Sequence, residues 1–98
     1  MGKTIGFERF EWDADKSSKN KVKHGIDFLA AIAVFLDPHR LIRLDKRHSQ
    51  MEKRWYCFGQ IEGRVLTLIY THRQNSIRII AAGFWRSGRK EYEKEKTN

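Results

Sequence analysis

Arg47-His-Ser-Gln-Met-Glu-Lys-Arg54 places two arginines, a histidine and a carboxylate within eight residues. These types together suit metal-independent cleavage of a phosphodiester. A base removes a hydroxyl proton, guanidinium groups steady the developing charge, and an acid protonates the departing oxygen. The same composition also describes an ordinary solvated loop. Further arginines fall in or beside apolar stretches: Arg64 opens Arg64-Val-Leu-Thr-Leu-Ile-Tyr-Thr71, Arg73 follows it, and Arg78 interrupts Ile77-Arg-Ile-Ile80. Gathered on one sheet face with Tyr70, the residues Arg54, Arg64, Arg73 and Arg78 would form a phosphate pocket, because guanidinium binds phosphate through paired hydrogen bonds. Scattered, each would lay its aliphatic stem on the sheet and hold its charge in water.

Lys16, Asn20, Lys23 and His24 recur at helical spacing and make a polar stripe that faces RNA or simply water. Histidine ordinarily titrates near neutrality, so His24 in Lys23-His-Gly25 invites a catalytic reading. A cation followed by glycine is equally what a helix C-terminus carries. Metal chemistry has little to stand on: His24, His39, His48, His72 and Cys57 show none of the spacings of structural zinc sites. No glycine-rich phosphate loop follows a strand.

The elements that must position these residues change period at Pro38. Phe7 to Trp12 reads as a short aromatic strand. Asp13 caps a helix from Ala14 to His24, and Gly25 supplies its left-handed stop. Asp27 caps a second helix from Phe28 to Leu36, apolar on nearly every face and so expected to be buried. Beyond Asp37-Pro38, strands are expected over Leu41 to Leu44, Arg54 to Phe58, Arg64 to Thr71 and Ile77 to Ala82. Gly63 sits in a hairpin and Gly83 breaks the last strand. A short solvated helix from Arg89 to Lys96 closes the order β-α-α-β-β-β-β-α. This is an α+β fold: a small antiparallel sheet with two N-terminal helices and one short C-terminal helix.

The chain has 98 residues, a formal net charge of +8 and a pI near 9.9. That length suits one domain, here 1–98 with a charged tail at 94–98, and the charge favours an acidic partner such as nucleic acid. The longest apolar run, Phe28 to Leu36, is nine residues, half of the roughly 18 that span a bilayer. Met1 to Phe7 lacks the apolar core of a leader, and the lone Cys57 suits a reducing compartment, so a cytoplasmic location is expected. No helix-turn-helix pattern supports DNA binding by the chain itself, since its second helix is nearly all apolar.

Taken in order, Phe10-Glu-Trp-Asp13, Lys16-x-x-x-Asn20-x-x-Lys23-His24-Gly25-Ile26, Asp37-Pro38, Asp45-x-Arg47-His48, Glu52-x-Arg54, Gly63-Arg64-Val65-Leu66, Tyr70-Thr71 and Ile77-Arg78-Ile79-Ile80 resemble BrnT-type toxins of BrnT/BrnA toxin–antitoxin pairs. The resemblance runs from about Phe10 to Glu93. It implies a RelE-like fold and an endoribonuclease toxin that needs no metal or other cofactor and arrests translation. It also implies neutralisation by a cognate BrnA-like antitoxin in a hetero-oligomeric complex that reaches DNA only through the antitoxin. On this reading Arg54, Arg64 and Arg78 bind the scissile phosphate, and His48, Glu52 and Tyr70 are the proton-transfer candidates. Lys16, Asn20, Lys23, His24, Arg47, Arg73, Arg86 and Arg89 bind RNA. The chain departs from the pattern at Ala14, at Gln50-Met51 and at Gly83, where relatives often carry arginine. Arg86 or Arg89 is then expected to supply the missing charge. The alternative is a non-catalytic relative that only binds antitoxin or nucleic acid.

Overall fold

The structure is a computed structural model that describes residues 3–96. Its elements are β1 (Thr4–Phe7), β2 (Phe10–Asp13), α1 (Ala14–His24), α2 (Phe28–Ala31), β3 (Leu41–Asp45), β4 (Arg54–Ile61), β5 (Arg64–Arg73), β6 (Ser76–Gly83) and α3 (Arg86–Lys96). Two 3-10 turns, Ile32–Leu36 and Lys46–His48, follow α2 and β3. The six strands form one sheet in the order β1-β2-β6-β5-β4-β3. The α+β class expected from periodicity is what forms.

Three details differ from the sequence expectation. The first strand is a hairpin, because Glu8 adopts a left-handed φ of 56° and folds β1 back on β2. The expected second helix tightens into 3-10 geometry after Ala31, so only its first turn is α-helical. The sheet is not wholly antiparallel: β2 runs parallel to β6, a pairing that needs the crossover through α1, α2 and the intervening strands. In addition, α3 begins at Arg86 rather than Arg89, and β6 runs one residue past the expected Ala82, to Gly83.

One sheet face is covered by α2 and the 3-10 turn after it. Phe28, Ala31 and Val34 pack there with Trp12, Cys57, Leu66, Leu68, Tyr70, Ile79 and Ala82. Close approach is needed here: a Cβ on Gly59 would lie 2.7 Å from the Val34 carbonyl oxygen. The other face is covered at one end only, by α3, whose Tyr92 packs with Phe58 and Val65. The opposite end of that face stays open. Among the described residues no helix is long and apolar enough to cross a membrane.

The helix caps read from sequence form as expected. Asp13 accepts from Lys16 N, Asp27 accepts from Ala30 N, and Gly25 takes φ 80°. Asn20, expected on an RNA-facing stripe, is instead buried. Beyond Arg78, β2 no longer pairs with β6, and the Asn20 amide takes the place of the missing strand. Its Nδ2 donates to the Ala82 carbonyl at 2.9 Å and its Oδ1 accepts from Ala82 N at 3.2 Å. Nδ2 also donates to the Ile26 carbonyl at 2.8 Å, tying the corner after α1 to the sheet. With those atoms engaged, Asn20 has nothing to offer RNA. Asn20→Ala leaves the Ala82 and Ile26 groups unpaired and is expected to cost about 2–4 kcal/mol, measurable by urea denaturation.

Candidate nucleic-acid interface and cleavage site

Directly paired residues share a sheet face, so the register locates the arginines. Asp45 pairs with Arg54, Arg54 with Thr71, Thr71 with Arg78, and Arg78 with Glu11. These five residues form one row across the end of the face that α3 leaves uncovered, with Asp45 and Thr71 buried among their neighbours and Arg54, Arg78 and Glu11 partly exposed. Arg54 and Arg78 are two strands apart in it, roughly 10 Å. Arg78 donates to the Glu11 carboxylate at 2.8 Å, which fixes its guanidinium at the β2 side. Arg54 has no ion-pair partner among the described residues.

The loop after β3 folds over the β4 end of this row. With the ends of β4 and β5 it encloses an open cleft of about 630 Å³ lined by Arg47, His48, Gln50, Met51, Glu52, Arg54 and Arg73. Five of the candidates from sequence thus meet in one place. Glu52 and Arg73 face each other at 3.4 Å, both partly exposed. The loop is anchored by Asp45, only 4 % exposed. Its carboxylate accepts from Arg47 N at 3.2 Å and holds His48 Nδ1 at 2.9 Å, and its carbonyl accepts from the Ser49 hydroxyl. Burial pushes the Asp45 carboxyl up, but its hydrogen bonds to His48, Tyr56 and Arg47 outweigh this and hold it below the ordinary 3.8.

With Nδ1 turned to Asp45, the exposed His48 ring lines the cleft and has Nε2 as its second nitrogen for hydrogen bonding. A buried carboxylate that orients an imidazole is a recurring way to set its tautomer. The Tyr56 phenol shares Asp45 as a partner. It is pushed above 10.0 by burial first and then by that hydrogen bond, with nearby Arg47 pulling the other way. Tyr56 has the same strand parity as Arg54 and lies on the same face.

Other expected residues lie elsewhere. Tyr70 precedes Thr71 and so points to the helix-covered face, where it is buried with its ring 5.4 Å from Phe35. Burial, with a smaller push from Cys57, raises its phenol to about 12. Its hydroxyl does not share the cleft. Arg64 is seven residues from Thr71, about 23 Å along the strand and of opposite parity. It stacks over Phe84 at 3.8 Å and borders a smaller groove with Arg89 and Gln60. Arg89 therefore does not bring charge to the cleft, and Arg86 stands exposed on the first turn of α3. Lys16 and Lys23 are exposed on α1. The His24 ring lies edge-on to Trp85 at 5.2 Å, outside the cleft.

Asp45, Tyr56, Thr71 and Glu11 were not among the sequence candidates. Tyr56 had a signal, its spacing of two from Arg54. Asp45 had one only through the Asp45-x-Arg47-His48 motif, since on its own a strand-ending aspartate before a basic loop reads as a cap. Among the described residues, no three His, Cys, Asp or Glu side chains converge as metal ligands.

A family model described as "Ribonuclease toxin, BrnT, of type II toxin-antitoxin system" matches residues 12–90. No curated protein matches the sequence. The matched segment contains Asp45, Arg54 and Arg78 of the sheet row and His48 and Glu52 of the loop beside it.

Proposed function

The chain belongs to the BrnT family of ribonuclease toxins of type II toxin–antitoxin systems, and we propose that it is an endoribonuclease that cleaves RNA without a metal ion and thereby arrests translation. The observation that carries this reading is the Asp45-held His48 in a cleft walled by arginines. RNA lies across the open sheet face with its phosphates on Arg54, Arg78, Arg47 and Arg73. His48 and Glu52 exchange the two protons of the reaction. One removes the 2′-hydroxyl proton as that oxygen attacks phosphorus, and the other protonates the 5′-oxygen as its bond to phosphorus breaks. Arg54, unpaired and adjacent, meets the charge that grows on the phosphoryl oxygens. Tyr70 and Arg64 have no part in this step.

Family membership supports an antitoxin partner. We assign the chain a cognate BrnA-like antitoxin, a hetero-oligomeric complex in the cytoplasm, and contact with operator DNA only through that antitoxin. The exposed Lys16, Lys23, Arg86 and Arg89 then serve as outlying RNA contacts rather than as cleavage groups.

The test uses the full chain freed of any partner and incubated with single-stranded RNA in excess EDTA. Cleavage to products ending in 2′,3′-cyclic phosphate is the expected result. Intact RNA, with expression of the chain harmless to a bacterial host, would overturn the reading and leave a binding-only relative.

A further inference from the structure

The altered segment after β6 builds something. A Cβ on Gly83 would lie 2.4 Å from the Trp85 ring, so the absence of a side chain at 83 is what lets the indole fold back onto the sheet. His24 braces the same ring from its edge at 5.2 Å. Trp85 then lines a groove of about 320 Å³ between the sheet and the start of α3, together with Tyr56, Phe58 and Ile69 of the sheet and Ser87 and Glu91 of the helix. Tyr56 in turn stacks on Phe58, with ring centroids 5.6 Å apart and planes at 22°.

Tyr56 and Ile69 are a cross-strand pair, one row on from Arg54 and Thr71 on the same face. The step between those rows is two residues, about 7 Å. Tyr56 therefore belongs both to this groove and to the Asp45 cluster beside the cleft. An RNA strand with a phosphate on Arg54 would have a neighbouring base at the mouth of the groove.

We propose that the groove between Tyr56 and Trp85 is a nucleobase subsite that seats an unpaired base next to the scissile phosphate, with Glu91 selecting guanine. This rests on the ribonuclease reading for its place in the reaction, but not for its chemistry. Aromatic walls accept the flat face of any base. The Glu91 carboxylate discriminates, because it only accepts hydrogen bonds and has two oxygens to do so. Guanine presents a ring N–H and an exocyclic amine side by side on its Watson–Crick edge. Adenine and cytosine place an acceptor next to their amine, and uracil flanks its one N–H with carbonyls. Gly83 is thus coupled to Trp85, because only a residue without a side chain leaves room for the indole.

The experiment measures binding of short single-stranded RNAs whose 2′-oxygens are methylated, so that no cleavage can occur, by fluorescence anisotropy. Probes carry guanine, adenine or an abasic site at one position in an otherwise constant sequence. The wild-type chain is expected to bind the guanine probe roughly tenfold more tightly than the abasic one. Trp85→Ala and Gly83→Ala, the latter pushing the indole off the sheet, both erase that difference. Glu91→Gln, a surface change that keeps the fold, narrows guanine over adenine. His48→Ala keeps the discrimination. Equal affinity for guanine and abasic probes in the wild type overturns the subsite, as does full discrimination in folded Gly83→Ala and unaltered guanine preference in Glu91→Gln. Cleavage without base discrimination sinks the subsite alone, and discrimination without cleavage sinks the ribonuclease reading alone.

Discussion

His48→Ala is expected to lower kcat/KM for RNA cleavage by about 10²- to 10⁴-fold, the range that a positioned proton-transfer group contributes. Arg54→Ala is expected to lose about 10²- to 10³-fold, because it removes a preorganised donor at the phosphate. Since the two groups serve one transition state, the double variant should lose much less than the product of the single losses. Urea denaturation of each variant separates folding from chemistry: His48 is exposed but partners the buried Asp45 carboxylate, which keeps its bonds to Arg47 N and Tyr56, and Arg54 carries no ion pair among the described residues. The contrast that makes the result specific is Arg64→Ala together with Tyr70→Phe. Arg64 sits at the far end of β5 and the Tyr70 phenol lies in the core beneath the other face, so both variants should cleave close to the wild-type rate. A fluorogenic RNA assayed in EDTA reads the five variants against the wild type. If Arg64→Ala fails as badly as Arg54→Ala, the cleft is not where cleavage occurs.

That contrast also marks where the sequence was informative. Local signals were read correctly because their causes are local: Asp13 and Asp27 cap helices through their own side chains, and Gly25 takes the left-handed turn that ends α1. The loop from Arg47 to Arg54 was legible as a candidate cluster because its residues are contiguous and stay together in any fold, and five of the candidates line one cleft. The arginines on strands were harder, since grouping them requires the parity of each strand and the register between strands. Parity was available: Arg64 and Arg73 are nine apart on β5 and cannot share a face. Register was not, and the extra residue at Ile80, where Ile69 pairs with Ala81 but Tyr70 with Ile79, shifts the alternation midway along β6. The parallel pairing of β2 with β6 was invisible for the same reason, as it joins residues 67 positions apart, Glu11 and Arg78. Asn20 departs from its expected exposure because a polar residue at helical spacing looks solvated until a sheet edge lacking a partner strand is placed beside it.

Asp37 meets a comparable gap at the opposite sheet edge, and its replacement should produce the largest stability loss in the chain. Beyond Phe58, β4 has no β3 partner, and Asp37 Oδ2 accepts from the exposed-edge Gln60 N at 2.7 Å. The same oxygen accepts from the buried Tyr92 hydroxyl at 2.7 Å, and Oδ1 accepts from His39 N at 2.8 Å. One carboxylate thus joins the turn after α2, the edge of β4 and helix α3. Asp37→Ala is expected to cost about 3–5 kcal/mol, because the Gln60 and Tyr92 donors lose their acceptor where water cannot fully replace it. For a domain of this size that corresponds to a fall in Tm of roughly 15–30 °C. Tyr92→Phe removes one bond and strands no donor, so about 1–2 kcal/mol is expected. The pH dependence follows from the same contacts. Burial raises the Asp37 carboxyl, but the hydrogen bonds from Gln60, Tyr92 and His39 outweigh it and leave the group below 3.8. Its contribution is therefore complete above 3.8 and lost as pH falls through the lower folded value. Tyr92 is raised to about 12, by burial first and then by the hydrogen bond to Asp37 and its charge. An acid raised in the folded state stabilises fully below its ordinary 10.0 and progressively less as pH climbs toward 12. Urea titrations across pH should show both limbs in the wild type. Asp37→Ala should flatten the acid limb to what Asp45 supplies and weaken the alkaline one. If the variant keeps both limbs at full slope, Asp37 is not the junction that holds α3 to the sheet edge.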